Sequence, residues 1–252
     1  MTNSQPQIDM GKTYDAFADA FALSNQLPTW QYVGKPAMEK LLEPIFGSEA
    51  NILDMGSASG RVEAGVLLSH GVTAARITGV EISPDQVVIA QKRIPDARFL
   101  VGDIADPALL TDETGSFGSV FSHMVFEHVS DEQFAQVCAN AYRLLKLGGM
   151  FAFVVTHPDK MTNLNGDLVT KDGPFITTAP WGGELHNWRR SVEKTLDAVR
   201  GAGFTIEGYE EIPFPSVAPE GLNHKESEAF AASAKKYSRY PAIRLAVRAV
   251  KQ

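Results

Sequence analysis

The sequence predicts an α/β fold on an open, mostly parallel sheet, and three observations carry that prediction. Short apolar runs recur at Asn51–Met55, Ile77–Val80 and Arg98–Val101, each closing on an acidic residue, a glycine or both. Helical patterns lie between them, and the alternation continues to the C-terminal region. The chain has 252 residues, 44% of them hydrophobic, which is enough to bury one full core. A run that is apolar throughout marks a strand covered on both faces, and strands separated by helices mark parallel pairing through crossovers.

In chain order, residues 1–10 are polar and are expected to be disordered. Tyr14, Phe17, Ala18 and Phe21 then fall at helical spacing. After Pro28, Trp30, Val33, Ala37, Met38, Leu41 and Leu42 predict a second helix ending near Pro44. Asn51–Met55 reads as a buried strand feeding a tight turn. Gly56 and Gly60 bracket Ser57, Ala58 and Ser59, small residues that let backbone approach a ligand, and Val62, Ala64, Val66, Leu67 and Leu68 supply the apolar side of the next helix. The N-terminus of that helix is expected to offer free N–H groups to an anion.

Ser83-Pro84-Asp85-Gln86 is a helix start, with serine as N-cap, proline at the first position and glutamine at the third. Ser130-Asp131-Glu132-Gln133 repeats the device. The helix it opens carries Phe134, Val137, Cys138, Ala141, Leu144 and Leu145 on one face, which places Cys138 in the core. Lys146-Leu147-Gly148-Gly149 is expected to stop it and turn into a strand over Met150–Val155. Leu164–Pro180, rich in Gly, Asp, Asn and Thr, reads as a long functional loop. A helix from about Arg190 to Arg200, a strand at Phe204–Ile212, a charged helix within Glu220–Lys236 and a strand at Ala242–Val250 complete the chain.

Composition narrows the function classes. The net charge is −7 and no Lys/Arg cluster goes beyond pairs, so a nucleic-acid partner is disfavoured. No apolar run reaches membrane-spanning length and MTNSQPQIDMGK has no signal-peptide core, so no membrane partner and a cytoplasmic location are expected. Cys138 stands alone, which excludes an internal disulfide and an iron–sulfur radical site. No HxxxH, HExxH or Cys/His run supports a metal.

Strand ends carrying Gly56–Gly60, Glu81 and Asp103 in succession describe a nucleotide-type site along the carboxyl edge of the sheet. Here Asp54-Met55-Gly56-Ser57-Ala58-Ser59-Gly60 resembles the D-x-G-x-G-x-G motif of the class I S-adenosylmethionine (SAM) dependent methyltransferases, with Ala58 in place of the middle glycine. The resemblance continues through Phe117–Val129, where Gly118 replaces the usual Asp, through Leu144–Gly149 and through Gly203–Ile212. It implies a Rossmann-like, doubly wound, seven-stranded, mostly parallel sheet with an antiparallel last strand. It also implies an N-terminal helical lid over residues 1–45 and a catalytic domain over residues 46–252.

On that resemblance the cofactor is SAM and its product S-adenosylhomocysteine (SAH). Asp54, Gly56, Ser57 and Gly60 belong to the loop against the methionine moiety. Glu81, beside Ile82, takes the ribose hydroxyls, and Asp103, beside Ile104, faces the adenine amine. Tyr14 and His123 complete the cofactor set. Two other readings compete. A nicotinamide-dependent oxidoreductase fits Glu81 equally well, but the G-x-G-x-x-G spacing and a Tyr-x-x-x-Lys pair are absent. A non-catalytic SAM-binding protein on the same fold is the third.

Methyl transfer is an in-line displacement at an activated sulfonium carbon. The protein positions the reactants, excludes water and supplies a base only where the nucleophile must lose a proton. Three histidines are candidates: His123 just past the fourth strand, His157 closing the fifth, and His186 between Trp181 and Trp188. His128 matches the family's recurring histidine in L-x-H-V and is read as architectural. The expected partner is a small-molecule acceptor with a hydroxyl, carboxylate or amine, as in bacterial cofactor or secondary metabolism. The oligomeric state is not legible.

Overall fold

Asn51–Met55 (β1) occupies the middle of a seven-stranded sheet. Around it stand Ile77–Glu81 (β2), Arg98–Val101 (β3), Phe117–His123 (β4) and Leu145–Thr156 (β5). Gly173–Thr178 (β6) and Glu184–Arg189 (β7) form a separate antiparallel pair, while Phe204–Ile212 (β8) and Arg244–Lys251 (β9) return to the main sheet. The order is β3-β2-β1-β4-β5-β9-β8, with β1 to β5 parallel and β9 antiparallel to both of its neighbours. The computed structural model describes residues 10–16, 27–179 and 183–252; the expectations for residues 1–9, Phe17, Ala18, Phe21 and Trp181 lie outside them.

The side-chain period of two builds the layers. In β5, Phe151, Phe153 and Val155 join one buried cluster, whereas Ala152 and Val154 join the other. The first cluster is closed by Asp131–Leu144 (α4) through Phe134, Val137 and Leu144, and by Val192–Gly201 (α5) through Leu196 and Val199. Lys35–Phe46 (α2) and Pro84–Arg93 (α3) cover the opposite face, with Met38, Leu42 and Ala90 packed on Ile52 and Phe121. Met10–Ala16 (α1) opens the described chain, so residue 10 is helical rather than part of a disordered start. His224–Tyr237 (α6) is anchored through Phe230, against Val33 and Phe214. Ser83 and Ser130 cap α3 and α4 by accepting from Gln86 N and Gln133 N at 3.2 Å each, and Cys138 is buried. Among the described residues no helix is long and apolar enough to cross a membrane.

Four local expectations are corrected. The helix after the glycine loop is wound wide over Glu63–Leu67 and tight over Leu68–His70. Pro44 lies inside α2, which runs on to Phe46. Lys146–Gly149 belongs to β5, because Leu145 already pairs with Phe117 before the ladder shifts at Gly118. Glycine at that shift has a physical reason, since a Cβ at Gly118 would overlap the Cβ of Ala50. Finally, Leu164–Pro180 is not all loop. Phe175-Ile176-Thr177-Thr178 has the residue types that strands favour, and it pairs with Glu184–Asn187, with Ala179 N donating to Gly183 O at 3.0 Å beyond the last pair. His186 and Trp188 therefore sit on a strand.

Candidate active site

The strand order reverses between β1 and β4, and ligands of open α/β sheets bind in the crevice at that point. Gly56 leaves β1 with φ +92°, and Val125 occupies the space where a side chain would stand. Ser122 Oγ donates to Met55 O at 2.6 Å, pinning the end of β4 to the end of β1. Ala58 holds φ +45°, a left-handed conformation at the place where the resembled motif has glycine. Arg93 fastens the loop from α3 by donating to Ser59 O at 2.6 Å.

Four N–H groups of the loop are spent inside the fold. Gly56 and Ser57 donate to Val80 O at 2.8 and 3.1 Å, Gly60 donates to Ser57 O at 3.0 Å, and Ala58 donates to Glu81 Oε2 at 2.9 Å. Of the helix N-terminus expected to offer free donors to an anion, Gly60 N–H is thus already paired, and in the loop before it the β2 carbonyl and Glu81 have taken Gly56, Ser57 and Ala58 N–H. A pyrophosphate would need such donors, so a dinucleotide loses its anchor here.

A cleft of about 410 Å³ opens over the loop. Gly56, Glu81, Ile82, Asp103 and Ile104 line it from the ends of β1 to β3, together with His186 and Trp188 from β7. Glu81 accepts from Ser83 N at 2.9 Å as well as from Ala58 N. Burial raises its pKa, while those backbone donors pull it back down. Asp103 is exposed and accepts from Ala105 N at 2.8 Å. The described lining contains no lysine or arginine.

A second cavity of about 360 Å³ adjoins the first, and Tyr14, His123, Met124 and His128 line both. That shared wall is tightly organised. Met124 sits at φ +61°, a conformation that a residue with a side chain rarely holds. His128 Nδ1 lies 3.3 Å from His186 O, which can only accept, so Nδ1 carries the proton and Nε2 accepts from the Tyr14 hydroxyl at 3.0 Å. Burial first, then Glu127 and Glu81, push the Tyr14 hydroxyl upward, so it remains a donor. His123 stands edge-on to Trp30 with centroids 5.1 Å apart, and both of its buried ring nitrogens lack a partner. Burial, with Arg61 and Arg244 nearby, lowers its pKa well below the ordinary range and keeps the ring neutral. Arg190 holds the turn below: Nε donates to Asp131 at 2.8 Å, one Nη to Phe126 O at 2.6 Å and the other to Val129 O.

Several predicted positions lie elsewhere. Asp54, Ser57 and Gly60 line neither cavity. Asp54 is 1% exposed and points to the layer beneath β1, where it meets the buried Glu63. Burial pushes both carboxyls up, Glu63 to about 7, so the pair keeps a proton between two acceptors. Gly60 packs on Ala90 and Phe99 instead. His157 is 1% exposed, donates from Nε2 to Glu211 at 2.7 Å and accepts at Nδ1 from Asp159 N, so it is enclosed away from both cavities. His186 lines the first cavity but not the second. His128, read as architectural, is part of the shared wall. Among the described residues no group of three His, Cys, Asp or Glu side chains is placed to hold a metal.

Residues 52–149 match a family model described as a methyltransferase domain. The chain is 25% identical over 217 residues to N-demethylindolmycin N-methyltransferase of Streptomyces griseus, covering 80% of this chain and 90% of that one. Over 190 residues it is 23% identical to a trans-aconitate 2-methyltransferase of Variovorax paradoxus, covering 75% and 66%. Residues 52–149 thus carry a methyltransferase domain, and the cofactor is SAM. Among solved structures, a SAM-dependent methyltransferase from Mesorhizobium loti shares the fold, with a TM-score of 0.64 and 20% identity over 90% of this chain and 99% of that one.

The first cavity of this methyltransferase fits its cofactor. SAM carries a positive sulfur, and a cleft with Glu81 and Asp103 but no lysine or arginine in its described lining suits a cation. What the sequence left unseen is the second cavity's lining, drawn from Arg61, Glu127, Lys160, Asn187 and Arg244. Glu63 was detectable: it shares a helix face with Val66 and Leu67, an unusual place for a carboxylate.

Proposed function

We propose that this methyltransferase modifies a small molecule held in the second cavity, with transfer across the wall of Tyr14, His123, Met124 and His128. The observation that carries this reading is the shared wall itself: two cavities of about 410 and 360 Å³ meet at the same four residues. The smaller volume falls within the range of small-molecule sites. Two relatives are named for acting on N-demethylindolmycin and trans-aconitate, which supports a small acceptor and a place in biosynthesis.

Bound SAM supplies a methyl carbon on a good leaving group, so the chain's task is to place and to shield. Glu81 and Asp103 would hold the ribose and adenine ends, with Ile82 and Ile104 against them. Among the described residues of the N-terminal stretch, Tyr14 of α1 lines both cavities and Leu27, Thr29 and Trp30 line the second. Tyr14 ties α1 to His128, and Asp15 ties it to α3 by accepting from the Ser83 hydroxyl. By contrast α2 is built into the core through Met38 and Leu42. His123 is the candidate general base, because it stands in the wall shared by the two cavities and neither ring nitrogen is engaged by another group, which leaves the unprotonated one for a proton from the acceptor.

Labelled-methyl transfer from SAM to a panel of small molecules, tRNA and protein tests the reading. Transfer to small molecules alone is expected, and transfer only to tRNA or protein would sink it. In His123→Ala the rate should drop about 10²- to 10⁴-fold with SAH affinity unchanged; an unchanged rate removes the base assignment.

A further inference from the structure

The second cavity is strongly cationic within an acidic protein. Among the described residues its lining carries Arg61, Lys160, Lys236, Arg239 and Arg244 against the single carboxylate of Glu127. The whole chain has net charge −7, so this concentration is local and not compositional. Arg244 is 7% exposed; one Nη donates to Ile243 O at 2.9 Å, but its buried Nε has no acceptor. Lys160 lies nearby, its Nζ 5.6 Å from the centre of the Tyr237 ring. Burial, then Arg244 and Lys236, lower its pKa to about 7. Lys236 and Arg239 are exposed and stand over the rings of Tyr237 and Tyr240 at 5.4 and 4.8 Å. Glu127 offsets only part of this set: it acts on both Lys160 and Arg244, while its Oε1 accepts from the Thr156 hydroxyl at 2.9 Å and the Thr156 N–H at 3.3 Å.

Gathering like charges in a low-dielectric pocket is unfavourable unless a ligand of opposite sign arrives. Such a pocket also focuses its field on small anions in solution. We infer that the acceptor is a small organic anion, held in this cavity through its oxyanion group by Arg244 and Lys160. Arg61, Lys236 and Arg239 add to the attracting field. This rests on the assignment of the cavity to the acceptor. Among anions, a guanidinium with an open Nε beside an ammonium accepts the two oxygens of a carboxylate or phosphate ester equally well.

The test is isothermal titration of the full chain saturated with SAH. The titrants are mono-, di- and tricarboxylates, phosphate monoesters, their matched neutral amides or alcohols, and inorganic phosphate. At least one organic anion should bind tenfold or more tightly than its neutral match. Lys160→Gln should weaken that binding about tenfold, Lys160→Arg should recover most of it, and SAH affinity should stay within twofold in both. Carboxylate and phosphate arms decide which oxyanion is taken. Equal binding of neutral and anionic partners, inorganic phosphate binding as tightly as any organic anion, no binding at all, or an unchanged affinity in Lys160→Gln would each overturn the inference. A chain that fails to bind SAH would instead bring down the site assignment beneath it.

Discussion

The two cavities share a wall yet differ in charge, and the difference matches the roles proposed for them. The larger has Glu81 and Asp103 and no lysine or arginine in its described lining; the smaller is edged by Arg61, Lys160 and Arg244. On the proposed assignment, a positive methyl donor on one side and a cation-lined pocket on the other would keep two polar ligands from exchanging places. Their backbones differ in kind as well. The acidic cleft is made by consecutive strand ends: main-chain geometry places Glu81 and Asp103 there and uses up the loop N–H groups that would hold an anion. The basic cavity is assembled from long side chains of distant segments, and its preference is set by side chains alone.

That contrast can be broken at its base. Asp54 and Glu63 are acids of the same region that lie beneath the cleft, not in it. Glu63 is raised from 4.5 to about 7 on folding. A raised carboxyl stabilises the fold fully below its unfolded value and loses that contribution as pH rises through the folded value. Stability should therefore fall by about 3 kcal/mol between pH 4.5 and 8. Denaturant titrations across that range should show this slope, and Glu63→Gln should flatten it. A slope unaltered in the variant would mean the proton resides elsewhere.

The next effect lies in the cleft. Replacing Glu81 by alanine removes a charged acceptor from the ribose position, with an expected loss of about 2 kcal/mol, or roughly 30-fold, in SAH affinity. Direct titration checks it, and organic-anion binding to whatever SAH complex forms should be retained. If both affinities fall together, the cavities are coupled and the comparison sharpens into one site. The smallest effect is at Ala58. Left-handed backbone costs a side chain about 1–2 kcal/mol, part of which glycine returns as flexibility in the unfolded chain. Ala58→Gly should thus stabilise by up to about 1 kcal/mol, read as a rise in melting temperature, with SAH affinity unchanged.

Much of the cleft was legible because its residues follow one another along the chain. Each of Gly56, Glu81 and Asp103 stands just after or at the end of its own apolar run, and strand ends of a parallel sheet share one edge. Which way a side chain points was less legible. Asp54 belongs to the motif, yet in β1 the alternation that buries Leu53 and Met55 in one layer sends Asp54 with Ile52 into the other. His157 closes β5 as expected, but Glu211 of the neighbouring sheet region captures it. The hairpin of β6 and β7 was hidden by loop-like composition, since strand pairing depends on a partner that local pattern does not reveal.

By itself the sequence determined the α/β class, the strand ends with their acidic residues Glu81 and Asp103, and the helix caps at Ser83 and Ser130, because each depends on residues close together in the chain. Only the tertiary structure decided the second cavity. Arg61 follows the glycine loop, Lys160 follows β5, Lys236 ends α6 and Arg244 opens β9, and they meet because the sheet order places β9 beside β5. Charges scattered over nearly two hundred residues carry no periodic signal. They become a binding site through the proximity that burial of the core enforces.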